Sequence, residues 1–183
     1  MKEITTDSGK KIYVFDDLLS FEHLNDAYTM CKLLDLSMGW NDTNLAEAQH
    51  HRYLHAPLSL DDLPIMSLDK YFVNSPITPL LDGLRMTKAV LNVTVTSDCH
   101  YTHTHAEKLV VLFYINLEWK DGWHGETLFF SNDGKEIVYA SRYTPGRVIA
   151  FDGSIPHSIR PQSREGPQYR YTFASIFDTV DKS

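Results

Sequence analysis

Leu109-Val110-Val111-Leu112-Phe113-Tyr114-Ile115 is the stretch on which the fold turns. Seven residues rich in β-branched and aromatic side chains, with no polar break, read as a strand that is apolar on both faces. Such a strand needs cover on each side: the interior of a barrel on one face and helices on the other. Upstream, Val90–Thr96 is a second β-branched run, and downstream further strands are predicted at Glu126–Phe130, Glu136–Ala140, Arg147–Phe151 and Tyr169–Phe177. Turn-forming segments separate them, among them Ser131-Asn132-Asp133-Gly134, Thr144-Pro145-Gly146 and Asp152-Gly153. Many short strands at close spacing predict an antiparallel barrel or double-sheet jelly roll.

The first half is mixed. Lys11–Phe15 reads as a strand. From Ser20, as N-cap, the apolar residues Phe21, Leu24, Tyr28, Cys31 and Leu34 recur at helical spacing. Residues 39–65 read mostly as loop, and Pro76–Leu84 as a second helix opened by proline and ended near Gly83. The expected organisation is one mainly β domain with flanking helices (α+β) over residues 1–183. In it, 1–87 supply helical and loop support with a lid, and 88–178 form the β-barrel core.

Composition sets the function classes. A chain of 183 residues with 43% hydrophobic, 12% aromatic and 22% charged content suits a single well-packed domain. Seventeen Lys and Arg against 24 Asp and Glu give a net charge of -7, which argues against duplex nucleic acid as the partner. Two cysteines, Cys31 and Cys99, make neither a disulfide framework nor a four-thiolate metal site. No apolar run reaches the roughly 18 residues of a membrane span, and the N-terminus carries no apolar signal core. The expectation is a soluble, cytoplasmic protein, monomer or homodimer, acting on a small molecule or a peptide.

Nine histidines are unevenly placed. His100, His103 and His105 fall within six residues, and on a strand His103, His105 and Glu107 share one face. Imidazole and carboxylate suit iron, zinc, nickel or manganese. His157 follows a strand and a turn some fifty residues later, where a neighbouring barrel strand can supply a third ligand. Three facial ligands with open positions suit dioxygen chemistry at Fe(II). In Tyr169–Phe177, Arg170 and Thr172 share a strand face among apolar neighbours. A guanidinium directed into a barrel is costly without a carboxylate, and a ligand can supply one.

Taken in order, several segments resemble the non-haem Fe(II)- and 2-oxoglutarate-dependent oxygenases, in particular the small prolyl-4-hydroxylase-like branch. They are His103-Thr104-His105, Phe113-Tyr114-Ile115-Asn116 with Trp119, Gly125-Glu126-Thr127-Leu128-Phe129, Pro145-Gly146-Arg147-Val148-Ile149-Ala150-Phe151, Pro156-His157 and Tyr169-Arg170-Tyr171-Thr172. The resemblance implies a double-stranded β-helix with the first-half helices on its outer face. It implies His157 as distal iron ligand. Arg170 would pair with the far carboxylate of 2-oxoglutarate, and Thr172 and the Tyr114 hydroxyl would support it. Gly125 would belong to a Gly-Glu-Thr turn, preceded by His124 where the family has Gly.

The family supplies its proximal ligands as His-x-Asp, which this chain lacks. Two substitutes stand open: His103 with His105, or His105 with Glu107. Three neutral ligands would leave Fe(II) doubly positive, a ligating Glu would lower that by one, and a missing carboxylate is also how relatives make room for halide. The implied reaction consumes dioxygen and 2-oxoglutarate, gives succinate and carbon dioxide, and hydroxylates a C–H bond. Peptidyl proline or a free amino acid is the expected substrate, and Asn92, Trp123 and His124 are candidate substrate contacts. His50, His51, Arg52, His55 and Trp40 fall in the loop-rich stretch assigned to the lid. Two other classes fit part of the pattern. A cupin-like three-histidine dioxygenase without 2-oxoglutarate would dispense with Arg170, and a non-catalytic carboxylate-binding barrel would dispense with His157.

Overall fold

The computed structural model describes residues 1–40, 53–59, 67–96, 98 and 100–180. The apolar run anchors it. Strand Leu109–Tyr114 has all six side chains buried, with Val111, Phe113 and Ile115 in one apolar cluster and Val110, Leu112 and Tyr114 in another. In chain order the strands are β1 (Lys2–Thr5), β2 (Lys11–Phe15), β3 (Ser37–Trp40), β4 (Tyr53–Leu58), β5 (Leu84–Thr94), β6 (Leu109–Tyr114), β7 (Thr127–Phe130), β8 (Ile137–Ser141), β9 (Val148–Asp152), β10 (His157–Ile159) and β11 (Arg170–Thr179). Eight form a major antiparallel sheet in the order β1-β2-β9-β6-β11-β5-β4-β3, and three form a minor sheet in the order β10-β7-β8. The minor sheet packs on one face of the major sheet: Phe129 of β7 belongs to the cluster of Val110, Leu112, Tyr114, Ile149 and Phe151. This is a double-stranded β-helix.

The opposite face of the major sheet takes the helices. Helix α1 (Phe21–Leu33) starts where Ser20 Oγ accepts the His23 N–H at 3.2 Å, a side-chain N-cap. Glu22 in its first turn and Lys32 in its last complement the helix dipole. Its buried residues are Leu24, Ala27 and Cys31, packed in one cluster with Phe113 and Phe173. Phe21 itself is exposed, so the apolar stripe begins at Leu24. A short helix, α2 (Lys70–Val73), adds Tyr71 and Phe72 against Phe113.

Two expectations need correction. Pro76–Leu84 is not a helix: a single 3-10 turn spans Thr78–Leu81, and Leu84 already opens β5, which pairs with β11 from Leu84 to Thr94. Asp82-Gly83, with Gly83 at φ +71°, ends the turn before a second helical turn can form. The first half is also more than support. β1 and β2 extend the major sheet beyond β9, while β3 and β4 extend it beyond β5, so part of the stretch read as loop is strand. The signal in β4 is the alternation of Leu54, Ala56 and Leu58 with Tyr53, His55 and Pro57, and Pro57 obscures it. Proline is tolerated there because β3 pairs only as far as His55, leaving Pro57 beyond that ladder and without a strand partner on that side among the described residues. His55 therefore lies on a strand, whereas His50, His51 and Arg52, Cys99 and the side chain of Trp40 lie outside the described residues. Among the described residues no helix is long and apolar enough to cross a membrane.

Candidate active site

Two polar constellations occupy the space between the sheets. The first is built by an exchange of backbone hydrogen bonds. The His103 N–H donates to the His157 carbonyl and the His157 N–H to the His103 carbonyl, both at 3.0 Å. This pairing brings together residues that are remote in the chain. The His105 N–H donates to the Gly153 carbonyl at 2.7 Å, holding the second imidazole beside them. Gly153 is needed there, since a Cβ would collide with the Glu107 carbonyl oxygen and come within 3.3 Å of the His105 Cβ. The result is three imidazoles whose ligand atoms all lie within 4.8 Å of one another. Glu107 is not in this group, the one such cluster found among the described residues.

The tautomers follow from the neighbours. His103 Nδ1 lies 3.0 Å from the Tyr101 carbonyl and His157 Nδ1 lies 2.9 Å from the Ile155 carbonyl. A carbonyl only accepts, so each Nδ1 carries a proton, and in the neutral ring this leaves the lone pair on Nε2, the atom a divalent metal takes. His157 is buried beside Phe151 and Phe129, with ring centroids 4.8 and 6.2 Å away, whereas His103 and His105 are half-buried. Apolar packing thus fixes one side of the cluster and leaves the other open.

The second constellation surrounds Arg170, which is 1% exposed. Its Nε donates to the Gly125 carbonyl at 3.0 Å and its Nη1 to Thr172 Oγ1 at 2.6 Å, while Nη2 reaches Thr127 Oγ1 at 3.5 Å. The guanidinium carbon lies 4.6 Å from the Tyr143 ring centre and 5.3 Å from that of Tyr114. The two rings stack at 4.4 Å, and the Tyr114 hydroxyl donates to Thr127 Oγ1 at 2.6 Å. No carboxylate among the described residues forms an ion pair with Arg170. The nearby Glu126 pairs instead with Arg160 at 3.6 Å. Burial accordingly pushes the Arg170 pKa down and those of Tyr114 and Tyr143 up, which keeps both phenols neutral. A cation with donors to spare and no anionic partner among the described residues is suited to a carboxylate ligand.

Gly125 lets this arrangement form. It sits at φ +78°, and a Cβ there would come within 3.0 Å of the Trp119 ring and 3.3 Å of Arg170 Cδ. His124 before it also adopts a left-handed backbone, φ +59°, held by the Trp119 indole N–H donating to its carbonyl at 2.9 Å. The His124 imidazole lies 4.0 Å from Glu126, and the Trp123 ring packs edge-on against Trp119 at 5.9 Å. Both side chains therefore belong to the Arg170 end of the barrel. Asn92 lies on β5 directly opposite Thr172.

Several contributors escaped sequence reading. Thr127 joins Tyr114 to Arg170, and its signal is its alternation with Phe129 on β7. Tyr143 is fixed by the Asn116 N–H, which donates to its hydroxyl at 3.0 Å, and by its own donation to the Tyr171 carbonyl at 2.5 Å. Nothing local in Tyr143-Thr144-Pro145 announces that role.

No protein-family model matches the chain, and no curated protein matches it in sequence. Solved structures do match its fold. A Pseudomonas putida prolyl-4-hydroxylase superposes with a TM-score of 0.68 at 15% identity, covering 92% of each chain. The Streptomyces hygroscopicus protein HygX, with nickel and 2-oxoglutarate bound, gives 0.69 at 11% identity over 93% of this chain and 83% of its own. A viral collagen prolyl hydroxylase from Paramecium bursaria Chlorella virus-1, in complex with 2-oxoglutarate, gives 0.64 at 11% over 94% and 98%. At such identities the likeness establishes the double-stranded β-helix fold.

Proposed function

We propose that this chain is an Fe(II)- and 2-oxoglutarate-dependent oxygenase that hydroxylates an unactivated C–H bond. In this reading His103, His105 and His157 hold the iron, and Arg170, Thr172 and Tyr114 hold the far carboxylate of 2-oxoglutarate. The observation that carries it is Arg170, a buried cation without an ion-pair partner among the described residues, in the barrel that also gathers three imidazoles. Leaving a guanidinium buried and unpaired costs several kcal/mol, which a bound carboxylate offsets. Fold neighbours that carry iron, or nickel with 2-oxoglutarate, support the same assignment.

Iron, dioxygen and 2-oxoglutarate, when bound, supply the oxidising chemistry, with succinate and carbon dioxide as by-products. The chain's own residues orient and exclude. The Tyr101 and Ile155 carbonyls hold two imidazoles in the metal-binding tautomer. Gly125, Thr172 and Thr127 fix the guanidinium plane, and burial keeps the Tyr114 phenol protonated, so that its O–H, which donates to Thr127 in the ligand-free protein, can turn to the carboxylate. Three neutral ligands would offset neither charge of Fe(II), and since Arg170 takes the far carboxylate of 2-oxoglutarate, the cosubstrate would offset one of them. Glu107 is not a ligand in this reading, because the imidazole cluster is complete without it. A cupin-like dioxygenase would not need Arg170, and a carboxylate-binding barrel would not need the imidazoles.

Anaerobic titration with Fe(II) and then 2-oxoglutarate tests the assignment through the visible metal-to-ligand charge-transfer band. The band is expected only with both present, weakened in Arg170→Ala, absent in His157→Ala and His103→Ala, and retained in Glu107→Ala. Iron binding without any such band would overturn the reading.

A further inference from the structure

The two faces of the major sheet differ at one level. On the helix side, Ala56, Leu91, Phe173 and Phe113 face one another across β4, β5, β11 and β6, all buried and apolar. One residue along, on the inner side, the register sets Ser37 opposite His55, His55 opposite Asn92, Asn92 opposite Thr172 and Thr172 opposite Tyr114. The next inner row, Pro57, Val90, Ala174 and Leu112, is apolar again. A file of polar side chains thus crosses the interior, next to the buried pair Thr94 and Arg170. Its exposure is graded: Tyr114 and Thr172 are fully buried, Asn92 and His55 half-buried, and Ser37 open to solvent. The inner end is committed, since Thr172 accepts from Arg170 and Tyr114 donates to Thr127. Asn92 is not: its Oδ1 is shielded from solvent and has no hydrogen-bond partner among the described residues. An amide oxygen left so bears a desolvation cost that nothing returns, and a ligand that donates a hydrogen bond removes that cost.

We infer that Ser37, His55 and Asn92 form the substrate-side wall of the site, and that its occupant is a small polar molecule bearing hydroxyl or amine donors, not the ring of a peptidyl proline. The inference rests on the oxygenase reading. A prolyl residue presents methylenes and a tertiary amide without an N–H, so the ring itself has no donor for Asn92. A polyol, amino alcohol or amino sugar can, and a polar file rising to the surface lets it exchange water hydrogen bonds for protein ones as it enters.

The test uses the Zn(II)- and 2-oxoglutarate-loaded protein with ligand-observed NMR. The probes are myo-inositol, ethanolamine, glucosamine and the peptide Ac-Gly-Pro-Gly-NH2. The Fe(II) charge-transfer band is recorded first for the wild type and each variant, so that a missing centre is seen separately. At least one polar probe is expected to bind saturably. Asn92→Leu should weaken it by about tenfold or more, the loss of one hydrogen bond to a buried acceptor. Asn92→Asp, which keeps the acceptor, should retain an amine probe to within about threefold of the wild type. The band present with no polar probe bound, or with Asn92→Leu binding as the wild type does, would overturn this inference alone. Saturable binding of the proline peptide in place of the polar probes would do the same. No band in the wild type would overturn the oxygenase reading along with it.

Discussion

Replacing Arg170 by methionine separates a structural arginine from one kept for a ligand. The substitution removes the bonds to the Gly125 carbonyl and Thr172, the contact at 3.5 Å to Thr127, and the stacking on Tyr143 and Tyr114. Charged hydrogen bonds contribute about 1.5–3 kcal/mol each, and stacking about 1–2 more. Against this stands the desolvation of a fully buried cation without an ion-pair partner among the described residues, itself several kcal/mol. Methionine has a similar length, packs beside the stacked pair of Tyr114 and Tyr143 and brings no charge. The terms nearly cancel, so the ligand-free protein should change by no more than about 2 kcal/mol. The effect of 2-oxoglutarate should change completely. At a hundred times its Kd a ligand adds about 2.7 kcal/mol, which for a chain of this size raises Tm by roughly 5–11 °C. Thermal melts of the Mn(II)-loaded protein with and without 2-oxoglutarate should show that rise in the wild type and none in Arg170→Met. A loss above about 4 kcal/mol in the ligand-free variant, with the 2-oxoglutarate shift intact, would make Arg170 a structural residue and refute the reasoning.

Gly153→Ala should leave a folded chain that binds divalent metal on the order of 10–100-fold more weakly, because the new Cβ displaces the Glu107 carbonyl beside His105. Metal titration checks it, and wild-type affinity would count against the packing argument. His124→Gly should stabilise by about 0.5–1 kcal/mol in urea unfolding, since it relieves a non-glycine backbone at φ +59°. A loss of stability would show that the His124–Glu126 contact outweighs the strain. At alkaline pH the protein should weaken. Burial pushes Cys31 and Tyr171 up to about 12, and raises Tyr114 and Tyr143 as well. Ordinary thiols and phenols titrate at about 8.5 and 10. Between those values and the raised ones the folded chain keeps protons that the unfolded chain has lost, so stability falls as pH rises from about 8.5 toward 12. Urea midpoints at rising pH should drop, with tyrosinate absorbance from the buried rings appearing only on unfolding, and a constant midpoint would refute the assignment.

Legibility in the sequence followed the range of the interactions. Strand β6 could be read from seven consecutive residues, and helix α1 from Ser20 and its spacing, because an apolar run and a side-chain cap are local matters. β3 and β4 were not legible: a four-residue strand and one interrupted by Pro57 carry little signal until β5 is present to pair with them. The one-turn helix at Thr78–Leu81 shows the reverse case, a local helical pattern overruled by the pairing of β5 with β11.

The site divides along the same line. By itself the sequence determined the chemical inventory: imidazoles at His103, His105 and His157, and an arginine set among apolar neighbours on a strand. Tertiary structure alone decided how they meet. The backbone exchange between His103 and His157 brings three imidazoles together while leaving Glu107 out. The turn at Gly125 presents a carbonyl, not a carboxylate, to Arg170. The register of β4, β5 and β11 lines up His55, Asn92 and Thr172 across the interior. Each of these depends on a pairing between segments remote in the chain, and a single residue's slip in register would send every such side chain to the opposite face.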